Sequence, residues 1–268
     1  MNPGLAIVTG ASSGIGAATA RSLAGRGWDL VLVARRAGRL AQLAGEIHAA
    51  GGGAQIFPAD LSDPDGRQAL FAAHPSADLL VNNAGLGWYG YAEKMNWDVT
   101  REMIAVNIAA CVQLCQLYLP GMRARRRGHI INVGSIAGGM PNQGIALYAA
   151  SKAFLDAFTT AVYRELRGSG VEISIVRPGP VKSEFFESAR QRDQGGSIPG
   201  GRLAVQPATV ADCILGLVDR PRRAAYVPWY MRFSPLLETG FGWLIDRLGP
   251  LLLRRDFSNH PSGEELMQ

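Results

Sequence analysis

The sequence predicts one α/β domain, a doubly wound parallel sheet of about seven strands with helices on both faces. Three observations carry that prediction. Short apolar runs alternate with helix-spaced stretches from the first residues onward. The runs are apolar at consecutive positions rather than at every second one, which suits strands covered on both faces. Glycines are frequent, 33 in 268 residues, and stand at the ends of these elements, where tight strand-to-helix turns need them.

Taken in order, Leu5 to Thr9 is a short apolar strand ending at Gly10, and a helix follows from about Gly14 to Gly25. Leu30 to Ala34 is a second strand and Leu40 to Ala50 a second helix. Ala54 to Pro58 and Leu79 to Asn82 are further strands. A long helical stretch runs from about Val99 to Arg123, followed by a strand at His129 to Val133. Tyr148 to Arg167 reads as a helix, Val171 to Val176 as a strand, Ala208 to Val218 as a helix and Ala224 to Val227 as a last short strand. Residues 1–268 form one domain of Rossmann type, which places ligands at the carboxyl ends of its strands, near the switch in strand order.

Two stretches depart from the alternation. Residues 182–206 are mostly polar and contain Gly195, Gly196, Gly200 and Gly201. A long unpatterned loop inside a compact domain is often a lid over a binding site. Residues 229–255 form an apolar, helical C-terminal extension, with Leu237, Phe241, Leu244, Ile245, Leu248 and Leu252 at helical spacing. Core packing or a pocket wall is the favoured reading of that stripe. Peripheral contact with a membrane surface, helped by Arg254 and Arg255, is the other.

Composition narrows the function classes. Apolar residues make up 47% of the chain and charged residues 18%, so a substantial core is available. The formal charge of +5 suits a phosphorylated ligand or an anionic surface without requiring either. The densest basic run, Arg123, Arg125, Arg126 and Arg127, ends a helix. It reads as a solvated terminus complementing the dipole rather than as a nucleic-acid patch. Cys111, Cys115 and Cys213 supply neither a disulfide framework nor a zinc set, and no metal site is expected. Cys111 and Cys115 read as small buried apolar residues. No charged segment followed by an apolar one opens the chain, and no apolar run approaches the ~18 residues of a spanning helix. A cytoplasmic location is expected.

The chemistry begins at the first strand-turn-helix, Thr9-Gly10-Ala11-Ser12-Ser13-Gly14-Ile15-Gly16. Glycines there let a backbone turn sharply, let a phosphate approach, and let a helix pack on a strand. The helix start offers free N–H groups to a pyrophosphate. The same residues fit the G-x-S-x-G turn of a hydrolase nucleophile. That reading fails for want of a histidine: of His48, His74, His129 and His260, only the last lies late in the chain, in a polar tail. It also leaves Gly16 unexplained.

The second strand ends Ala34-Arg35-Arg36, and no acid occurs between Asp29 and Glu46. An acid near that point would bind the ribose hydroxyls of NAD. Two guanidinium groups suit the 2′-phosphate of NADP(H) instead. Tyr148 and Lys152 are four apart on a helix and share a face. A free tyrosine titrates near pH ~10. A neighbouring ammonium is expected to lower that value and let the phenol exchange a proton near neutrality. Ser135, just past the strand ending at Val133, can hydrogen-bond the same substrate oxygen.

Jointly these pieces resemble the short-chain dehydrogenase/reductase family. The matching residues are the turn from Thr9 to Gly16, Asp60-Leu61, Asn82-Asn83-Ala84-Gly85, Asn107, Ser135, Tyr148-Ala149-Ala150-Ser151-Lys152 and Pro178-Gly179-Pro180-Val181, in the family's order, across about residues 4 to 220. The resemblance implies that Gly10, Ser12, Ser13, Gly14, Ile15 and Gly16 bind the cofactor and that Asp60 and Leu61 flank the adenine. Asn83, Ala84 and Gly85 should line the cofactor cleft. Asn107 should hold a helix irregularity and a water linking Lys152 to solvent. Ser135 should position the substrate oxygen, Tyr148 exchange its proton, and Lys152 bind the nicotinamide ribose. Pro178, Gly179, Val181 and Ser183 should face the nicotinamide. Ser13 stands where some NADP-using members carry a basic residue, so Arg35 and Arg36 would share the phosphate with Ser12 and few other donors. The implied activity is NADP(H)-dependent interconversion of a carbonyl and a secondary alcohol by a carbonyl-reductase-like homo-oligomer of two or four copies, and the apolar segment from Trp229 to Leu253 points to an apolar substrate. A nucleotide-binding regulator without turnover is the alternative. It has no need of Asn107, Ser135, Tyr148 and Lys152 together.

Overall fold

The computed structural model describes residues 3–192 and 204–257. Gly195, Gly196, Gly200, Gly201 and His260 lie outside them. Seven strands form one sheet: β1 (Leu5–Thr9), β2 (Asp29–Ala34), β3 (Ala54–Pro58), β4 (Leu79–Asn82), β5 (His129–Val133), β6 (Glu172–Pro178) and β7 (Ala224–Val227). Their order is β3-β2-β1-β4-β5-β6-β7, and every pairing is parallel. The fold expected from the sequence is the fold observed. The chain leaves β1 in one direction through β2 and β3, then returns to its other side through β4. The carboxyl ends of β1 and β4 therefore flank the crevice where such sheets bind ligands.

Alternate side chains feed two cores. Val8, Leu32, Val81 and Ile131 face helices α1 (Gly14–Ala24), α2 (Ala37–Ala49) and α8 (Pro207–Asp219), through Leu23, Leu40, Val210 and Ile214. Ile7, Val31, Leu80 and Ile130 face the opposite layer: α3 (Pro64–Ala73), the long helix built from α4 (Trp97–Ile104) and α5 (Cys111–Arg125), and α6 (Ala146–Glu165).

No helix was expected between β3 and β4, where α3 lies. Its start was nonetheless legible: Asp63 accepts from the Asp65 N–H as N-cap, and Pro64 takes the first helical position, which needs no N–H partner. Within the long helix, Ala105–Ala110 form a π turn that contains Asn107. By length and composition Trp97–Arg125 could cross a membrane. Its buried Leu114, Cys115, Tyr118 and Met122 instead pack in the second core.

Three local expectations are corrected. Cys111 and Cys115 do not sit among apolar groups alone. Asn82 Nδ2 donates to both sulfurs and to Asn132 Oδ1, and Asn132 Nδ2 donates to Thr159 Oγ1, so the cysteines belong to a buried polar network. The arginines at the end of α5 are not merely solvated: Arg125, Arg126 and Arg127 donate to the carbonyls of Ala77, Gly168 and Pro3. Residues 182–206, expected to be an unpatterned loop, also carry a short helix, α7 (Phe185–Arg190). The two ends of that stretch are tied together, because Lys182 N–H donates to Val205 O and Val205 N–H to Pro180 O.

The apolar extension forms α9 (Ser234–Phe257) after a single 3-10 turn at Trp229–Phe233. Core packing does not account for its stripe: Leu237, Phe241, Leu244 and Leu248 are exposed, as are Trp229, Leu236 and Trp243.

Candidate active site

One cavity of about 590 Å³ lies over the carboxyl ends of β1, β4 and β5. Apart from Gly16 and Asn107, every residue expected at the site lines it: the glycine turn, Arg35 and Arg36, Asp60 and Leu61, Asn83 to Gly85, Ser135, Tyr148, Lys152, and Pro178, Gly179, Val181 and Ser183. The two exceptions act from behind.

The inner wall is fixed by backbone. Gly10 has φ +65°, and a Cβ there would stand 2.9 Å from Ala84 Cα. A Cβ on Gly16 would stand 2.3 Å from Gly10 O, so only glycine lets the first turn of α1 close on the strand end. Thr9 Oγ1 accepts from the N–H groups of Asn83 (2.9 Å) and Ala84 (3.0 Å) and donates to Val81 O. Asn83 Nδ2 donates to Thr9 O at 2.9 Å. Together they lock β4 to β1 at the crevice. Thr9 was not among the expected site residues, though its hydroxyl makes this junction.

Asn107 donates to Leu86 O (2.9 Å) and Ser151 Oγ (3.2 Å) and accepts from Leu86 N–H (2.8 Å). From the π turn it thus pins the chain just past Gly85. Ser135 is buried, and its hydroxyl accepts from Ala137 N–H. Lys152, only 4% exposed, donates to Val133 O at 2.9 Å. Burial pushes its ammonium down to about 8, held back by the neighbouring Cys111 and Asp156.

Tyr148 differs from expectation. Burial pushes its phenol above the usual value, and a hydrogen bond with Ser135 opposes that rise. Lys152 Nζ is 5.6 Å from the centre of the ring and is engaged with Val133 O. The geometric juxtaposition of Ser135, Tyr148 and Lys152 holds, but burial sets the direction in which the phenol shifts.

The outer wall is held by side-chain charge. Arg36 donates to Ser12 Oγ (3.0 Å) and Ser13 Oγ (2.9 Å) and pairs with Glu184 at 2.8 Å. Arg39 reaches the same carboxylate at 3.3 Å. Arg35 pairs with Glu102 at 2.8 Å and lies 3.7 Å from Asp60. Arg192, just after α7, meets Glu102 from the other side at 2.7 Å. Arg36 and then Arg39 hold Glu184 below the usual carboxylate range. Burial pushes Glu102 up, but Arg192 and Arg35 outweigh it. Arg39, Glu102, Glu184 and Arg192 were not anticipated. They are far apart in sequence, and only a charge-by-charge search against Arg35 and Arg36 would have suggested the acids.

The glycine cradle and the free N–H groups opening α1 fit a pyrophosphate. Arg35 and Arg36 at the end of β2 fit an adenosine-side phosphate. Fold and site together define a nucleotide-dependent oxidoreductase of the doubly wound α/β class. Comparison with known proteins makes this specific. The family profile described as short chain dehydrogenase matches residues 4–194. An oxidoreductase of Myxococcus xanthus is 39% identical over 184 residues, covering 67% of this chain and 73% of its own. A short-chain dehydrogenase from Sphingobium yanoikuyae, solved in complex with NADPH, superimposes with a TM-score of 0.78 at 27% identity, covering 97% of this chain and 98% of that one. A metagenomic short-chain oxidoreductase in complex with NADP gives 0.70 at 36% identity, covering 84% and 95%. The chain belongs to the short-chain dehydrogenase family.

Proposed function

We propose that this oxidoreductase uses NADP(H) to interconvert a carbonyl and a secondary alcohol on a small apolar substrate. The observation that carries the reading is one cavity in which Ser135, Tyr148 and Lys152 face the glycine turn and the Arg35–Arg36 pair. Related structures that hold NADP or NADPH support the choice of cofactor.

The glycine turn and the first N–H groups of α1 would hold the pyrophosphate, and Arg35 and Arg36 the 2′-phosphate. Lys152 would hold the ribose hydroxyls beside Tyr148. The nicotinamide supplies or accepts the hydride when bound. The proton is the protein's concern. Burial shifts the Tyr148 phenol toward its protonated form, which suits donation to a carbonyl oxygen. Ser135 is within hydrogen-bond reach of that phenol and would hold the same oxygen. Trp88, Met140, Ile145 and Phe185 line the cavity and support an apolar substrate.

No observation favours a regulator without turnover, which would have no use for this proton machinery. The exposed apolar side chains of α9 support the peripheral membrane contact read from the sequence. The unpaired cysteines agree with a reducing, cytoplasmic compartment. A homo-oligomer rests on the family resemblance.

The test is a screen of ketones, aldehydes and secondary alcohols that follows NADPH absorbance. Tyr148→Phe is expected to lower turnover by about 10³-fold while NADPH binding persists. Unchanged turnover would remove Tyr148 from the mechanism.

A further inference from the structure

Three successive residues at the start of the lid reach three parts of the cleft. Ser183 packs on the glycine turn: a Cβ on Gly14 would stand 3.1 Å from the Ser183 Cβ. Glu184 takes Arg36 at 2.8 Å and Arg39 at 3.3 Å, and shares a hydrogen bond with the Ser13 hydroxyl. Phe185 leans on the Tyr148 ring, with centroids 5.5 Å apart, and covers Gly87, where a Cβ would stand 2.5 Å from the Phe185 ring.

The donors around the Glu184 carboxylate are two guanidinium groups and a hydroxyl. That set suits a phosphate as well as it suits a carboxylate. We propose that Glu184 is a specificity-determining residue, an internal anion whose carboxylate competes with the 2′-phosphate of NADP(H) for Arg36, Arg39 and Ser13. The proposal rests on the NADP(H) reading above.

The exchange is physically cheap. The Arg36 and Glu184 side chains are 46% and 42% exposed, and exposed pairs hold one another only weakly. A phosphate monoester brings about −1.5 to −2 charges against the single charge of a carboxylate, so it wins the donors. Both anions cannot crowd the same guanidinium groups without repulsion. Glu184 therefore leaves, and its neighbour Phe185 is loosened from Tyr148. A cofactor without the 2′-phosphate has nothing with which to displace Glu184 and binds with the carboxylate in place.

The test titrates the unmodified chain and two variants with NADPH, NADH and adenosine 2′-monophosphate by calorimetry. Glu184→Gln keeps the shape and removes the charge. It is expected to tighten NADPH and adenosine 2′-monophosphate about five-fold and to leave NADH within about two-fold. Unchanged or weaker NADPH binding, or an equal gain for NADPH and NADH, overturns the competition. Arg35→Ala combined with Arg36→Ala serves as the independent arm, and is expected to weaken NADPH far more than NADH. Equal losses there would sink the NADP(H) reading itself. Discrimination there, with an unresponsive Glu184→Gln, would sink the role of Glu184 alone.

Discussion

The two walls of the cavity are built on different physics. The inner wall, at the ends of β1, β4 and β5, is held by bonds to backbone: Thr9 to the N–H groups of Asn83 and Ala84, Asn107 to Leu86, Lys152 to Val133. Thr9, Asn107 and Lys152 are buried. The outer wall is held by ion pairs between side chains, Arg36 with Glu184 and Arg35 with Glu102 and Asp60, and Arg35 and Arg36 stand about half exposed. Buried bonds to backbone are expensive to break, because a group left unpaired loses its partner without gaining water. Exposed pairs exchange readily. The inner wall is therefore suited to fixing the reacting atoms, and the outer wall to trading internal anions for a ligand's.

Three substitutions break or sharpen that contrast, from the largest effect to the smallest. Lys152→Met should lower turnover by about 10²-fold or more while stabilising the unloaded chain. The fall of the ammonium from 10.5 to about 8 corresponds to about 3 kcal/mol of burial cost at pH 7, offset in part by about 1 kcal/mol from its bond to Val133 O. The variant should thus unfold about 2 kcal/mol later in urea at pH 7. The sign with pH is fixed. Below pH 8 both folded and unfolded lysine are charged and the burial cost is complete. Between about 8 and 10.5 the unfolded state alone holds the proton, so the wild type gains stability as pH rises. The advantage of Lys152→Met should shrink across that window, and an advantage that grows there would refute the assignment.

Thr9→Val keeps the shape but leaves the Ala84 N–H without its acceptor. A loss of about 2 kcal/mol in chemical unfolding is expected, with weaker cofactor binding. Arg35→Ala should change stability by no more than about 0.5 kcal/mol, since its ion pairs are exposed on the arginine side. A loss as large as that of Thr9→Val would erase the distinction between the walls.

The contrast also explains which parts were legible beforehand. The strands were readable because each is a local apolar run, and Ala224 to Val227 was placed with the bounds observed. The glycine turn, Ser135, Tyr148 and Lys152 were readable because their order and spacing repeat a known pattern. Helix α3 was missed, since its apolar residues, Ala69 to Ala73, follow one another without helical spacing and its signal lay in the Asp63-Pro64 cap. Glu102 and Glu184 were invisible for another reason: they lie 67 and 148 residues from the arginines they meet.

By itself the sequence determined the strand order's raw material, the candidate cradle for a pyrophosphate and the candidate residues for handling a proton, because periodicity and short motifs are local properties of a chain. Only the tertiary structure decided in which direction the phenol shifts, what the arginines hold and that Leu237, Phe241, Leu244 and Leu248 of the last helix meet solvent. Those depend on burial and on charges brought together across the fold, and neither quantity exists until the chain has closed on itself.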